Sequence, residues 1–304
     1  MNDPANLAAT PLHGIYIPTA LIIVGICILN YDYLPHTIAI LVVFFTVQFT
    51  IAWFKKPVLS TTDFQKYELL DKTVISRNSA IYRFKLPKET DTLDIPVGHH
   101  LACRFVIDEK EYVRYYTPIS NQFDEGFFDL LVKSYPDGTV SKKFASLYPG
   151  QLVEFKGPVG RMSYQSNMAS HITMIAGGSG ITPMLQVIGS IITTPADVTR
   201  VKLIYANETE NDILLKEELD EFAEKYPNFE VVYLLNKPQK QWKGLTGYVT
   251  KELLEKELPA PEADKRIFVC GPLEMRQKIL EYTEELGWPK GTINSKQDDQ
   301  VFCF

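Results

Sequence analysis

Lysine and arginine are absent from the first 54 residues of this 304-residue chain; every basic residue lies downstream. Cysteine is scarce as well, with four residues at 27, 103, 270 and 303 and no CxxC or Cys/His spacing. That pattern excludes a zinc site and a disulfide framework, and it suits a reducing compartment. Nor is there a basic excess, since 31 Lys and Arg face 37 Asp and Glu for a formal net charge of -6. A nucleic-acid binder needs a basic face to displace counterions from phosphates, so nucleic acid is excluded as a partner. His99 and His100 are adjacent, and neighbouring strand residues point to opposite faces, so no metal site is expected there. Internal repeats and low-complexity tracts are missing too. What remains, 45% apolar and 22% charged residues, is the composition of packed cores, over a length that allows two globular domains.

The cation-free segment holds two apolar stretches, Ile15 to Leu29 and Thr37 to Phe54. The second approaches the roughly 20 residues that span a bilayer core, and Trp53 sits where interfacial aromatics are favoured. It reads as a transmembrane helix. The first is shorter and contains Pro18 and Gly25, leaving a second span, a re-entrant piece and an interfacial segment open. A cleaved secretory signal would start with positive charge, whereas this segment carries Asp3, so it reads as a retained anchor. Lys55 and Lys56 follow directly and place the rest of the chain on the cytosolic side. Pro57 and the run Ser60-Thr61-Thr62 have linker chemistry, and residues 1–57 are assigned to anchor and linker.

Two rhythms follow. From about Tyr67 to Gly157 come short strand-like runs (YELLDKTVI, AIYRFKL, HLACRFVI, YVRYYTPI, FFDLLVKSY, QLVEFKG) with one short helical candidate near Val140 to Leu147. This spacing predicts a small antiparallel β-barrel. From His171 onward apolar strands alternate with amphipathic helices: HITMIAG, VKLIYAN, VVYLL and RIFVC each precede a helical pattern. That alternation predicts a Rossmann-like parallel sheet with helices on both faces and ligands beyond the strands' carboxyl ends.

Four motifs carry chemistry. In Arg114-Tyr115-Tyr116-Thr117-Pro118, Arg114 and Tyr116 share a strand face, offering a charge-assisted clamp for pyrophosphate beside a stacking ring. Gly138-Thr139-Val140-Ser141 opens the short helix, where backbone N–H groups attract phosphate; a plain helix cap has the same appearance. Gly177-Gly178-Ser179-Gly180-Ile181-Thr182-Pro183-Met184 lies between a strand and a helix. It is neither a GxGxxG nor a P-loop, yet its small residues permit close approach of a pyrophosphate and Pro183 suits a first helical turn. Cys270-Gly271-Pro272 puts a thiol at a strand's carboxyl end, although a lone cysteine is often just a small hydrophobe.

In this order the four motifs resemble the ferredoxin-reductase-like flavoenzymes, and within them the NADH-cytochrome b5 reductase family of the fungal, membrane-bound type, from about Thr61 to Phe304. The resemblance implies an FAD-binding barrel over 61–166 and an NADH-binding domain over 167–304. It implies that Arg114 holds the FAD pyrophosphate, that Tyr116 and Thr117 lie against the flavin, that Val132, Lys133 and Tyr135 surround the cofactor, and that Gly138, Thr139, Val140 and Ser141 cradle its phosphates. Gly177, Gly178, Gly180, Pro183 and Met184 fall to the nicotinamide dinucleotide, together with Gly271 and Pro272. Thr182, Cys270 and Lys133 are the residues implied at the hydride-transfer centre, with Cys270 orienting the nicotinamide rather than acting as a nucleophile. Asp212 matches an acidic family position whose carboxylate would repel a 2'-phosphate and favour NADH over NADPH. Tyr115 and Val140 depart from a proline and a methionine common in the family, and Phe304 resembles its aromatic end. Further implications are cytochrome b5 as electron acceptor, support of lipid and sterol metabolism, electron supply to diphthamide synthesis through a small iron-sulfur protein, and residence in the endoplasmic reticulum or mitochondrial outer membrane. A reductase for another haem, molybdenum or iron-sulfur acceptor, and an inactive tethered nucleotide binder, stay open.

Overall fold

The structure is a computed structural model that describes residues 17–29, 31–54 and 58–304. Contacts divide the chain into a unit ending at Pro57 and a unit from Val58 to Phe304. In the first, helix α1 (Ile17–Leu29) and helix α2 (Leu34–Phe54) are joined through a 3-10 turn at Tyr31–Tyr33. Apolar side chains such as Leu21, Ile40, Val42 and Val43 stand exposed on them. Among the described residues no helix is long and apolar enough to cross a membrane. The transmembrane helix expected over 37–54 is therefore not among the structure's features. Helix α2 occupies that stretch, but side chains 48, 49 and 51–54, including Trp53, lie outside the description, as do Lys55, Lys56 and Pro57.

The second unit begins with an antiparallel sheet of six strands: β1 (Gln65–Ser76), β2 (Ser79–Lys85), β3 (His100–Ile107), β4 (Lys110–Tyr116), β5 (Phe127–Lys133) and β6 (Leu152–Val159), in the order β4-β3-β6-β1-β2-β5. Just past β4, Pro118 bridges to Leu130 of β5 and Ile119 N–H donates to Asp129 O at 2.9 Å. The two edges thus meet. Alternation sends Tyr67, Leu69, Tyr82, Phe84, Phe128, Leu130, Val153 and Phe155 inward, where Phe84, Phe128 and Phe155 lie with ring centroids 4.8 to 5.4 Å apart. Each ring hidden from water stabilises by roughly 1.5–3 kcal/mol. Helix α3 (Thr139–Ala145) closes one end through Phe144, whose ring packs edge-on against Tyr82, Phe105 and Tyr116.

The chain then builds a wholly parallel sheet from β7 (His171–Gly177), β8 (Arg200–Asn207), β9 (Phe229–Leu235), β10 (Leu245–Thr246), β11 (Lys265–Cys270) and β12 (Val301–Cys303), in the order β10-β9-β8-β7-β11-β12. Helices α4 (Ile181–Thr193) and α5 (Lys216–Lys225) pack on one face. Helices α6 (Lys251–Glu257) and α7 (Leu273–Glu285) pack on the other. Buried Ile181, Met184, Val187, Ile188 and Ile191 form the helical stripe that seats α4. Strand order reverses between β7 and β11, so Gly177 and Cys270 end side by side at the switch point where ligands bind in such sheets. Leu131, Met162 and Tyr164 of the barrel side join the core of the α4 face, so the two lobes share apolar packing. The short β10 and β12 have no counterpart among the predicted strands.

Candidate active site

A cleft of about 980 Å³ opens where the barrel meets the carboxyl ends of β7 and β11, at the upper end of the roughly 300–1,000 Å³ of small-molecule sites. The barrel contributes Arg114, Tyr116 and Thr117 from the end of β4, Val132 and Lys133 from β5, then Tyr135 and Gly138 to Ser141. The parallel sheet contributes Gly177, Gly180, Thr182, Pro183, Cys270, Gly271 and Pro272. Three expected residues do not line it. Gly178 is half-buried in the 3-10 turn without lining the cleft, Met184 is wholly buried in the core under α4, and Asp212 stands beside the cleft, joined to Lys133.

Each part is held by its own packing. Tyr116 rests edge-on against Phe144 at 5.0 Å between centroids, and burial pushes its phenol pKa up. Thr117 is buried beside the exposed Arg114. Among the described residues no carboxylate pairs with Arg114, whose one hydrogen bond runs to Val113 O at 2.8 Å. On the opposite wall Gly178 adopts a φ of +53°, a left-handed conformation natural to glycine. A Cβ on Gly180 would come within 2.4 Å of the Cys270 carbonyl oxygen, so only glycine lets the ends of β7 and β11 lie this close. The hydroxyl of Tyr205 on β8 donates to Gly178 O at 3.0 Å and accepts from Leu214 N–H at 3.3 Å, fixing the glycine turn from below. Thr182 Oγ1 donates to Ser179 O at 3.3 Å within the first turn of α4. Burial pushes the Cys270 thiol up to about 12, with the Arg276 charge pulling weakly the other way, so the group is a neutral thiol at physiological pH. It is no thiolate nucleophile.

The lobes are tied around this cleft. Gly98 N–H donates to Gln186 Oε1 at 2.6 Å while Gln186 Nε2 donates to His99 O at 3.3 Å. Arg161 donates to the carbonyls of Ser295, Ile293 and Cys303 at 2.9, 3.3 and 3.2 Å. Lys133 Nζ reaches Asp212 Oδ1 at 2.7 Å, and the Tyr135 and Ser179 hydroxyls meet at 3.1 Å.

The donor set fits a flavin dinucleotide: an unpaired guanidinium for pyrophosphate, an aromatic ring and a buried hydroxyl beside it, and a facing glycine wall for a second dinucleotide. Comparisons with known proteins agree. Residues 66–164 match the family model described as the oxidoreductase FAD-binding domain, and 174–281 match the oxidoreductase NAD-binding domain. An NADH-cytochrome b5 reductase 1 from Coccidioides immitis is 45% identical over 96% of this chain and 97% of its own length. The chain belongs to the NADH-cytochrome b5 reductase family. A relative from Saccharomyces cerevisiae, named plasma membrane-associated coenzyme Q6 reductase, is 48% identical over 99% of this chain and 98% of its own. The cytochrome b5 reductase domain of Ulva prolifera nitrate reductase superposes with a TM-score of 0.75 at 31% identity, covering 82% of this chain and all of that one. As a member of the NADH-cytochrome b5 reductase family the chain is an oxidoreductase whose cofactors are FAD and NADH.

The cleft also contains His100, Arg161, Arg276 and Asn294, which no motif pointed to, and the aromatic carboxyl-terminal residue Phe304. His100 packs edge-on to Tyr115 at 5.1 Å, and burial, helped by the charges of His99 and Arg161, lowers its pKa to about 4. Arg276 donates to Phe304 O at 3.0 Å. Each comes from an element without local signature, and only its neighbour across the fold marks it.

Proposed function

We propose that this protein is an NADH-dependent reductase held at a membrane, with cytochrome b5 as its electron acceptor. Bound FAD would supply hydride acceptance from reduced nicotinamide and single-electron release, the chemistry needed to couple a two-electron donor to a one-electron haem. The observation that carries this reading is the single cleft uniting Arg114, Tyr116 and Thr117 with Thr182 and Cys270. In it Arg114 clamps the FAD pyrophosphate, Gly138 to Ser141 face its phosphates, and Tyr116 and Thr117 fix the ring. Gly177, Gly180 and Pro183 admit the nicotinamide dinucleotide, Gly271 and Pro272 keep the approach open, and the neutral Cys270 thiol and Thr182 set the nicotinamide's orientation. Geometry of approach is the protein's contribution.

On this reading residues 1–57 are anchor and linker, 61–166 the FAD domain and 167–304 the NADH domain, with the catalytic lobes facing the cytosol at the endoplasmic reticulum or mitochondrial outer membrane. The exposed apolar side chains of α1 and α2 support contact with lipid, because such a surface is unfavourable in water. Tethering beside a membrane-held acceptor raises its effective concentration. Lys142 and Lys143 are exposed on α3 without acidic partners among the described residues, a surface suited to an acidic haem protein. Supply of electrons to lipid and sterol metabolism, and to diphthamide synthesis through an iron-sulfur protein, belongs to the same proposal. A second acceptor, a membrane quinone, is favoured by the name of the 48% identical yeast relative.

The test is the visible spectrum of the detergent-solubilised full chain, taken anaerobically before and after NADH and then with oxidised cytochrome b5. Bleaching by NADH followed by recovery as the haem is reduced is the expected result. Bleaching without recovery removes cytochrome b5, and absence of bound or reconstituted flavin overturns the reading.

A further inference from the structure

Lys133 ends β5 of the barrel lobe and Asp212 ends the 3-10 turn Glu210–Asp212 beyond β8 of the other lobe. Their Nζ to Oδ1 distance is 2.7 Å, with side chains only 10% and 21% exposed. The carboxylate is itself immobilised: Oδ2 accepts from Thr209 N–H at 3.1 Å and from the Thr209 hydroxyl at 2.6 Å, a capping box that leaves Oδ1 for the lysine. Lys133 lines the cleft and Asp212 does not. A carboxylate already accepting three hydrogen bonds, and standing outside the cleft wall, is poorly placed to screen a ribose.

The ion pair is not needed to join the lobes. Gln186 and Arg161 do that, as does Gln297, which exchanges hydrogen bonds of 2.7 and 2.8 Å with the Ser163 backbone. What the pair does determine is where one cation stands. A lysine side chain has four rotatable carbons and spends about 2 kcal/mol of rotamer entropy when ordered; Asp212 orders it before any ligand arrives. An ammonium has three N–H donors, and among the described residues Asp212 takes one. Two are left for the cleft.

We propose that Asp212 is a positioning residue, which pins the Lys133 ammonium in the cleft wall so that it is preorganised to receive the anionic nicotinamide dinucleotide. The inference rests on the NADH reductase reading above. It assigns the acidic position an action through Lys133 in place of discrimination at the 2'-phosphate.

A double-mutant cycle on the full, FAD-loaded chain tests it, with Asp212→Asn, Lys133→Met and the pair combined. Steady-state KM for NADH is read beside the Kd for NAD+, titrated through the flavin absorbance change. Asp212→Asn is expected to raise KM and Kd together by about three- to tenfold, on the scale of coupled neighbours, and to add less than about twofold in the Lys133→Met background. Asp212→Glu is expected to recover most of the loss. Thr209→Val removes the hydroxyl that orients the carboxylate but keeps both charges; a smaller rise in KM is expected, and this variant serves if Asp212→Asn does not fold. Equal penalties in both backgrounds, an unchanged KM in Thr209→Val, or an altered NADPH to NADH ratio with unchanged Kd for NAD+ would overturn the proposal. If the unmutated flavin is not reduced by NADH, the functional reading itself fails; if it is reduced and the cycle is additive, only the role of Asp212 falls.

Discussion

Tyr135 of the barrel lobe and Ser179 of the glycine turn meet hydroxyl to hydroxyl at 3.1 Å across the cleft. The contact joins two segments whose residues lie 44 positions apart, and it shows how the barrel and the parallel sheet come to enclose one cleft. Residues on either side of it should fail in different ways when changed.

Arg114→Ala should loosen the cofactor. Loss of a charge-assisted hydrogen bond costs roughly 1.5–3 kcal/mol, so FAD affinity is expected to fall by about ten- to hundredfold. Flavin absorbance per protein after dialysis reads this directly, and full retention would remove Arg114 from the pyrophosphate site.

Cys270→Ser should retain FAD yet slow its reduction. The serine hydroxyl is smaller and seeks hydrogen bonds, shifting the approach of the nicotinamide; a displacement near 1 Å costs on the order of 100-fold in rate. Stopped-flow bleaching by NADH is the measurement. Because burial keeps the thiol protonated up to about pH 12, the unmutated rate should show no thiol ionisation between pH 6 and 9.

His100 gives the fold an acid weakness. Its folded pKa of about 4 lies below the ordinary imidazole value of 6.5, chiefly through burial. The unfolded chain therefore takes up a proton first as pH falls, and the stability present above pH 6.5 drains away towards pH 4. Thermal midpoints of the unmutated chain and His100→Gln should converge or cross as pH drops through that window. A pH-independent difference would show that His100 does not titrate as described.

Arg161→Ala should destabilise the packing of the two lobes at the cleft wall. It leaves three carbonyls, of Ser295, Ile293 and Cys303, without their charged donor, a loss of about 2–3 kcal/mol and roughly 5–10 °C in melting temperature. An unchanged midpoint would mean that water replaces the guanidinium at no cost.

Much of this arrangement is readable in the sequence because its signals are local. The runs around Phe84 and Phe155 alternate with the period of a strand, and the stripe from Ile181 to Ile191 has the period of a helix, so the two lobes follow from residues near one another in the chain. The glycines of 177–180 likewise sit at the strand-to-helix junction where close approach is needed. Strands β10 and β12, two and three residues long, are too short for any period. His100, Arg161 and Arg276 reach the cleft only through tertiary packing. Asp212 shows the harder case. Its Thr209-to-Asp212 spacing is a capping pattern, but the ion pair spans 79 positions, and no local rule connects it to Lys133.

Phe144 touches Tyr82, Phe105 and Tyr116 at once. The Tyr116 ring in the cleft wall and the helix that opens at Gly138 are therefore hinged on one side chain inside the barrel. Amide protons at the end of β4 and along α3 should exchange with solvent in a single cooperative opening, and that opening would gate cofactor escape as a breathing motion of the barrel end.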